Sequence, residues 1–202
     1  MSSALPSPGF QNLDLLSVGI AIAAIGILGF IIYLSDRRSV TNRSFLFFSV
    51  VTILWSAVNY LSYNLPSPDL VLWMFRLVMF FAVWHAFSFF QLFYVFPKPI
   101  LIFPKWYKFV LVPIVAVTSS LTLTTYVFPR LDEFSSSGTV SKTIVARGIV
   151  VFGFVVVGLI LSGIIFLIRK IIYAKGNEKL QLRLVLLGTI LTFVFIILFN
   201  FI

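Results

Sequence analysis

The sequence predicts an all-α protein, a polytopic bundle of membrane-spanning helices with its N-terminus outside the cell. Of the 202 residues, 60% are hydrophobic and only 10% are charged, whereas a soluble domain is about half apolar and about a quarter charged. Apolar stretches of about 18 residues or more recur along the chain, as membrane helices require. Basic residues gather in alternate loops, as they do when loop charge sets the orientation of a membrane protein.

Six apolar segments are long enough to cross a hydrocarbon core of about 30 Å at about 1.5 Å per residue. They run approximately over residues 15–34, 45–63, 70–96, 106–128, 144–168 and 182–202. Because lipid offers no hydrogen bonds to an exposed backbone, each segment is predicted to be a helix. Residues 1–202 are therefore predicted to form a single membrane-embedded domain. The stretch before the first segment contains no Lys or Arg, so we expect a retained helix and not a signal peptide.

Loop charge predicts the orientation in the plasma membrane. One side carries eleven basic residues, namely Arg37, Arg38, Arg43, Lys98, Lys105, Lys108, Arg169, Lys170, Lys175, Lys179 and Arg183. The other side carries three, namely Arg130, Lys142 and Arg147. This excess predicts cytoplasmic basic loops and a sixth helix that runs outward. It also explains the net charge of +9 without a nucleic-acid partner.

The sequence reaches its last residue inside the apolar stretch FVFIILFNFI. Membrane helices usually carry interfacial anchors at their ends. We therefore expect further sequence, with a seventh helix that would return the chain to the cytoplasm. A complete six-helix protein is the alternative.

The second segment carries one continuous polar face. Ser49, Thr52, Ser56, Asn59 and Tyr63 follow one another at steps of three and four residues, which places them on one side of a helix. Such a face should point at protein or water and not at lipid. It predicts either interhelical hydrogen bonds or the wall of a polar ligand cavity. Thr52, Ser56 and Asn59 are therefore candidate ligand-binding residues.

Small residues and a proline predict how the other helices pack. Close helix contacts are expected at Gly19, Ala23 and Gly26 of the first segment and at Gly158 and Ser162 of the fifth. Pro113 is expected to kink the fourth segment.

The third segment adds two candidate ligand-binding residues, Arg76 and His85. They are nine residues apart and so face opposite sides of a helix. Arg76, close to the outer end, is predicted either to anchor the helix by reaching the headgroups or to make a charged contact within the bundle. His85, the only histidine, lies near mid-membrane and is expected to be neutral and hydrogen-bonded, with Ser88 as a neighbour. A role in ligand or proton sensing is its alternative.

The residues predict neither catalysis nor a bound cofactor or metal. A chain with one histidine and no cysteine lacks the usual ligand set of a metal site. The motifs GxxxxGK, HExxH and GxSxG are absent from the sequence. The six acidic residues all fall in loops or at predicted helix ends, which argues against an ion-coupled transporter.

The region from about Asn42 to Pro97 resembles a known family. It contains NRSF before the second helix, LWSAVNYL within it, the turn LPSPDL, and WMFRLVMFFAVWHAFSFFQLFYVFP in the third helix. This layout resembles the N-terminal seven-helix membrane region of bacterial sensor histidine kinases. The residues that carry the resemblance are Asn42, Phe45, Trp55, Arg76, Phe96 and Pro97. The chain departs from that pattern because it has neither the seventh helix nor kinase motifs.

The resemblance implies an integral-membrane input module of a two-component signalling system, which detects a small ligand or the state of the membrane. Its expected partners are the lipid bilayer, a cytoplasmic kinase or other output domain, and a second copy of the chain. The outer loop PRLDEFSSSGTVSK is either a lid over the bundle or a connector. A small transporter or channel, or a membrane scaffold protein, are the alternative functions.

Overall fold

The computed structural model describes the backbone of residues 8–62, 65, 67–129, 131–134, 140–143 and 146–201. Side chains are described for residues 16, 18–62, 65, 67, 69–129 and 146–192. The helices in this part of the chain are α1 (Pro8–Ser35), α2 (Val40–Ser62), α3 (Pro68–Val95), α4 (Val112–Thr122), α5 (Gly148–Tyr173) and α6 (Gly176–Phe201). The fold is helical, as the sequence predicts.

Helix α3 lies at the centre of the bundle. Its backbone packs against α2, α4 and α5, while α1 packs on the far side of α2. The core around α3 is aromatic and aliphatic, with buried side chains at Val83, Ala86, Phe87, Phe90, Tyr107, Val115 and Leu159. Among the described elements, the backbone of α6 approaches only that of α5. A gap therefore remains between α2 and α6.

Four helices, and not the six predicted, are long and apolar enough to cross a membrane within the described residues. They cover Val18–Ser35, Val40–Ser62, Asp69–Val95 and Gly148–Tyr173. The helical stretch Tyr107–Thr122 is apolar but shorter than 18 residues. Helix α6 begins with Glu178, Lys179 and Arg183, and the side chains of its apolar end lie outside the described residues. Four apolar helices indicate a membrane protein.

The fourth predicted segment, 106–128, is not one continuous helix. A π-helical turn, Tyr107–Leu111, precedes α4, and Pro113 lies in the first turn of α4. Proline lacks the N–H that would continue the regular ladder, and π-helical turns and kinks occur at such positions. The kink at Pro113 stays a prediction; at this position the structure shows a π-helical turn, and α4 ends at Thr122.

Hydroxyl groups at and just after the end of α4 explain why this helix ends early. Ser119, Thr122 and Thr124 each donate a hydrogen bond to the carbonyl three residues before them, at 3.0, 2.7 and 2.7 Å. Such side-chain bonds compete with the regular helical ladder. The chain then turns back and bonds to the start of α5, where the Gly148 N–H donates to the Tyr126 carbonyl over 3.1 Å. A side chain at Gly148 would collide with Tyr126.

The basic end of the bundle is held by hydrogen bonds between loops. The Asn42 amide donates to the carbonyl groups of Ile32 and Asp36 over 2.8 and 3.2 Å, and so caps the end of α1. Thr41 donates to the Lys98 carbonyl over 2.8 Å. These hydrogen bonds hold the polar residues at the start of α2 in place, which explains why the helix begins at Val40, five residues before the predicted apolar start.

The other helix ends also differ from the predicted segments. Helix α5 runs over Gly148–Tyr173 where 144–168 was predicted, and α6 begins at Gly176 where 182 was predicted. Hydropathy marks the membrane-facing part of a helix, whereas charged residues can continue the helix into the interface. Gly176 has a φ of 56°, a left-handed conformation that glycine adopts without strain, and so allows the tight turn between α5 and α6.

A short antiparallel hairpin, which the sequence did not predict, lies in the connection between α4 and α5. Its strands are β1 (Leu131–Phe134) and β2 (Val140–Thr143), with Leu131 opposite Thr143. The backbone of β1 approaches α3. The predicted outer loop therefore contains ordered backbone at both ends, while residues 135–139 lie outside the described part.

Two glycines other than those predicted also allow close helix contacts. A Cβ at Gly29 would lie 2.8 Å from the Cβ of Ser49, and one at Gly163 would lie 3.3 Å from the Cα of Phe90. The predictions for Gly19 and Gly158 were wrong, because a Cβ at either position would meet open space. Gly26 was chosen correctly, since its Cβ would lie 3.3 Å from Ile53.

Candidate functional site

A cavity of about 460 Å³ lies between α2, α3, α5 and α6, on the side of the bundle where α2 and α6 are apart. Its lining is almost entirely apolar. The lining residues are Phe48, Trp55, Ala82, His85, Ala86, Phe89, Leu92, Phe93, Val156, Ile160, Val185, Gly188, Thr189 and Thr192. We call this space the bundle cavity. Its volume lies within the range of about 300–1,000 Å³ that is typical of small-molecule sites.

The imidazole of His85 lies among aromatic rings on the wall of the bundle cavity. Its ring is stacked on Trp55, with centroids 5.3 Å apart, and tilted against Phe48 at 5.0 Å. Nδ1 lies 3.2 Å from Oγ1 of Thr52. Two aromatic contacts, one stacked and one tilted, and one hydrogen bond thus hold the ring between α2 and α3.

The predicted hydrogen-bonding of His85 is confirmed, but its side-chain partner differs from the neighbour that we predicted. Ser88 donates to the backbone carbonyl of His85 over 2.8 Å, a bond within α3. The ring instead bonds to Thr52 across the helix interface. Thr52 is one of the candidate residues on the polar face of α2, so two of the five candidates meet at the bundle cavity.

Ser56 and Asn59 face a different space. They line a smaller cavity of about 270 Å³ between α1 and α2, together with Val18, Ala21, Trp55 and Tyr60. Ser49, at the other end of the polar face, packs against Gly29 of α1 and donates to the Phe45 carbonyl over 2.9 Å. The polar face of α2 is therefore shared between α1 and α3. Tyr63 lies outside the described residues.

Arg76 points into the protein and does not reach outward. The residue is 7% exposed, and its Nε and a terminal nitrogen both donate to the Phe128 carbonyl, at 3.2 and 2.7 Å. Its guanidinium also lies 5.2 Å from the ring centre of Trp73. The snorkelling alternative is thus wrong. Arg76 fastens the turn after α4 to α3, and neither cavity that contains the other candidates includes it.

Helix α6 contributes two lining residues that sequence reasoning missed. Thr189 and Thr192 donate to the carbonyls of Val185 and Gly188, at 2.9 Å each, and present their methyl-bearing side chains to the bundle cavity. Their spacing of three residues was a usable signal. The sequence could not indicate, however, that this face of α6 turns towards His85.

A polar network at the basic side of the bundle was also missed. Gln91 donates to Ser44 over 3.0 Å and accepts from the Tyr107 hydroxyl over 2.7 Å, which joins α3 to α2 and to the turn before α4. Lys170 of α5 donates to the carbonyls of Phe93, Tyr94 and Phe96 at the end of α3. These bonds hold the central helices together on the side away from Arg76.

Comparison of the chain with protein families, curated proteins and solved structures finds no match. The resemblance to the sensor kinase membrane region therefore stays a prediction. Three of the residues that carry it have distinct places in the fold: Asn42 caps α1, Trp55 stacks on His85, and Arg76 holds the turn after α4.

Proposed function

We propose that this chain is an integral-membrane sensory input module of a histidine-kinase-type signalling system. Its apolar helices cross the inner membrane of a bacterium, with the N-terminus outside and the basic loops in the cytoplasm. The observation that carries the proposal is the bundle cavity, because its lining joins α6 to three helices of the core. A molecule in this cavity would stabilise one position of α6 relative to the rest of the bundle.

The attachment of α6 supports such a movement. At its basic end, α6 is anchored by Leu182, which is fully buried with Leu167 and Phe93. Further along, its backbone approaches no other described helix besides α5. A helix held at one end and adjoining a cavity at the other can take two packings. A ligand shifts their populations only by its differential affinity for the two. An output domain or partner kinase would read the position of α6.

The apolar lining of the bundle cavity also bears on the alternative functions. A transporter for ions needs polar groups along a path through the membrane. The described lining offers only His85, Thr189 and Thr192 beyond apolar and aromatic residues, and both threonine hydroxyls bond to their own helix. A membrane scaffold needs no cavity of this kind. Sensing of a small molecule fits the lining better than either.

We expect two α2–α6 distances in a bilayer, with populations that change with the stimulus. The chain has no cysteine, so spin labels can be placed freely, at Leu54→Cys on α2 and Leu187→Cys on α6, which are 42% and 54% exposed. Pulsed electron resonance in nanodiscs of short-chain and long-chain phosphatidylcholine, with and without 1-dodecanol, measures the distance distribution. Leu54→Cys paired with Val157→Cys on α5 is the control and should stay constant, since α2 and α5 both pack on α3. One unchanging α2–α6 distance in all conditions would exclude the sensory mechanism.

The proposed orientation has a separate test. Arg38→Cys lies in the loop between α1 and α2, and Asp69→Cys lies in the first turn of α3, and both positions are exposed. In intact cells we expect a membrane-impermeant maleimide to label the Asp69→Cys protein, and to label the Arg38→Cys protein only after permeabilisation. The reverse pattern would invert the topology and place any following domain on the other side.

A further inference from the structure

Two side chains of the bundle cavity carry a polar atom without a hydrogen bond among the described residues. Nε1 of Trp55 is buried, whereas Nε2 of His85 is an atom that a ligand can reach. Nδ1 of the same ring is engaged with Thr52, and no described residue bonds to Nε2. In the described part of the chain, the buried side-chain polar atoms without a hydrogen bond are the indole nitrogens of Trp55 and Trp84. Nε2 of His85 has no hydrogen bond and is not one of these buried atoms, so it is accessible from outside the protein. The only described cavity that His85 lines is the bundle cavity.

The contact with Thr52 favours one tautomer of His85. A threonine hydroxyl has a single hydrogen, and that of Thr52 is donated to the Phe48 carbonyl over 2.7 Å. The arrangement that satisfies both contacts of Thr52 has its hydroxyl accept from His85, 3.2 Å away, with Nδ1 as the donor. In a neutral imidazole the other nitrogen, Nε2, is then an unprotonated acceptor. A molecule that pairs with Nε2 has to supply an O–H or N–H.

The rest of the lining selects against charge. Phe48 and Trp55 lie against the ring, and Phe89 and Phe93 add further aromatic surface to the lining. No described lysine, arginine, aspartate or glutamate lines the cavity. An unpaired charge in such surroundings would lose its hydration without compensation. A neutral apolar molecule would instead exchange lipid contacts for aromatic ones and satisfy His85 with a single donor.

We propose that the bundle cavity binds a neutral, apolar molecule with one hydroxyl group, which donates a hydrogen bond to Nε2 of His85. This inference names the ligand class of the sensory site and in that sense rests on the proposed function. Binding itself does not require signalling. Thr52 acts as a positioning residue, because its hydroxyl fixes the tautomer that turns the acceptor towards the ligand.

Nuclear magnetic resonance of the single histidine tests the proposal. The full chain, labelled with ¹⁵N-histidine and placed in nanodiscs, gives one pair of ring nitrogens because His85 is the only histidine. Without additive, we expect the Nδ1–H tautomer. Titration with 1-dodecanol should shift the Nε2 signal to saturation. Dodecyl methyl ether, which has a similar chain and no hydrogen-bond donor, should bind about two- to tenfold more weakly and should not shift the Nε2 signal.

Two variants and one control complete the test. Thr52→Val removes the acceptor of Nδ1–H, so both tautomers should be populated. The ratio of the affinities for alcohol and ether should then fall towards one. His85→Phe keeps an aromatic ring against Trp55 and should abolish that preference, measured as quenching of tryptophan fluorescence by brominated dodecanol and brominated ether. Ser120→Ala, exposed on α4, should behave as the parent protein.

Several outcomes would overturn the proposal. They are an Nε2–H tautomer in the parent protein, equal affinity for alcohol and ether, or saturable binding without a change at His85. The spin-label experiment separates this failure from failure of the proposed function. If the α2–α6 distance changes with bilayer thickness but the Nε2 signal does not shift with dodecanol, the chain senses another stimulus and the proposed binding site is wrong. If dodecanol shifts the Nε2 signal but the α2–α6 distance stays constant, the binding site is supported and the sensory function is excluded.

Discussion

Replacement of Lys170 by methionine is expected to lower the free energy of unfolding by about 1.5–3 kcal/mol, the usual worth of hydrogen bonds to a charged group. The Lys170 ammonium donates to the carbonyls of Phe93, Tyr94 and Phe96, at 2.9, 2.6 and 2.5 Å. These carbonyls belong to the end of α3, where helix geometry leaves acceptors unpaired and favours a cation. Methionine keeps an unbranched side chain that is one atom shorter, and it removes all three bonds.

Arg169→Met is the matched control for this variant. Arg169 is the preceding residue on α5 and is exposed, so its replacement removes the same charge without touching the end of α3. Unfolding in mixed micelles, followed by far-ultraviolet circular dichroism, should separate the two variants. Equal stability of the Lys170→Met and Arg169→Met proteins would show that the capping bonds contribute nothing beyond general electrostatics.

Replacement of Gly29 by alanine is expected to destabilise the protein by about 1–3 kcal/mol, as overpacking of a close contact does. The new Cβ would lie 2.8 Å from the Cβ of Ser49 and 2.7 Å from its Oγ, which forces α1 away from α2. Ser49 is 1% exposed, so its side chain has no free space into which it could turn. The same unfolding assay measures the effect.

Gly19→Ala provides the comparison on the same helix. An alanine Cβ at position 19 would meet open space, so this variant should be neutral or slightly stabilising, given the better helix propensity of alanine. A second change, Ser49→Gly, should restore much of the stability lost in Gly29→Ala, because it removes the atoms in conflict. Similar losses in Gly19→Ala and Gly29→Ala would mean that the α1–α2 interface is not closely packed at Gly29.

The candidate residues illustrate how far local reasoning reached at the site. The period of three and four residues correctly grouped Thr52, Ser56 and Asn59 on one side of α2, because helical geometry is a property of the helix alone. That face is wide enough to serve two neighbours, however. Thr52 meets His85 of α3, whereas Ser56 and Asn59 line the smaller cavity between α1 and α2. Periodicity cannot divide a face between partners, because the division depends on where the neighbouring helices lie.

The burial of Arg76 required long-range information. Its place in an apolar segment left two choices, outward to the headgroups or inward to the bundle. The guanidinium points inward because it bonds to the Phe128 carbonyl, which is 52 residues away in the chain and lies in the turn after α4. The sequence contained the reason for that turn in the hydroxyl groups of α4, but only the folded chain places the carbonyl beside Arg76.

Composition and periodicity alone predicted a helical protein with apolar spans, since hydropathy and helix repeat are local properties that each segment expresses independently. Within the described residues, the same signals gave more spans than the four helices that are long and apolar enough, in part because they do not register the π-helical turn before Pro113. Tertiary structure alone decided that α3 is central, that Gly29 and Gly163 mark the close contacts, and that α2 and α6 stay apart around His85. These features are differences in packing between helices of nearly equal hydropathy, and such differences arise only when the helices meet.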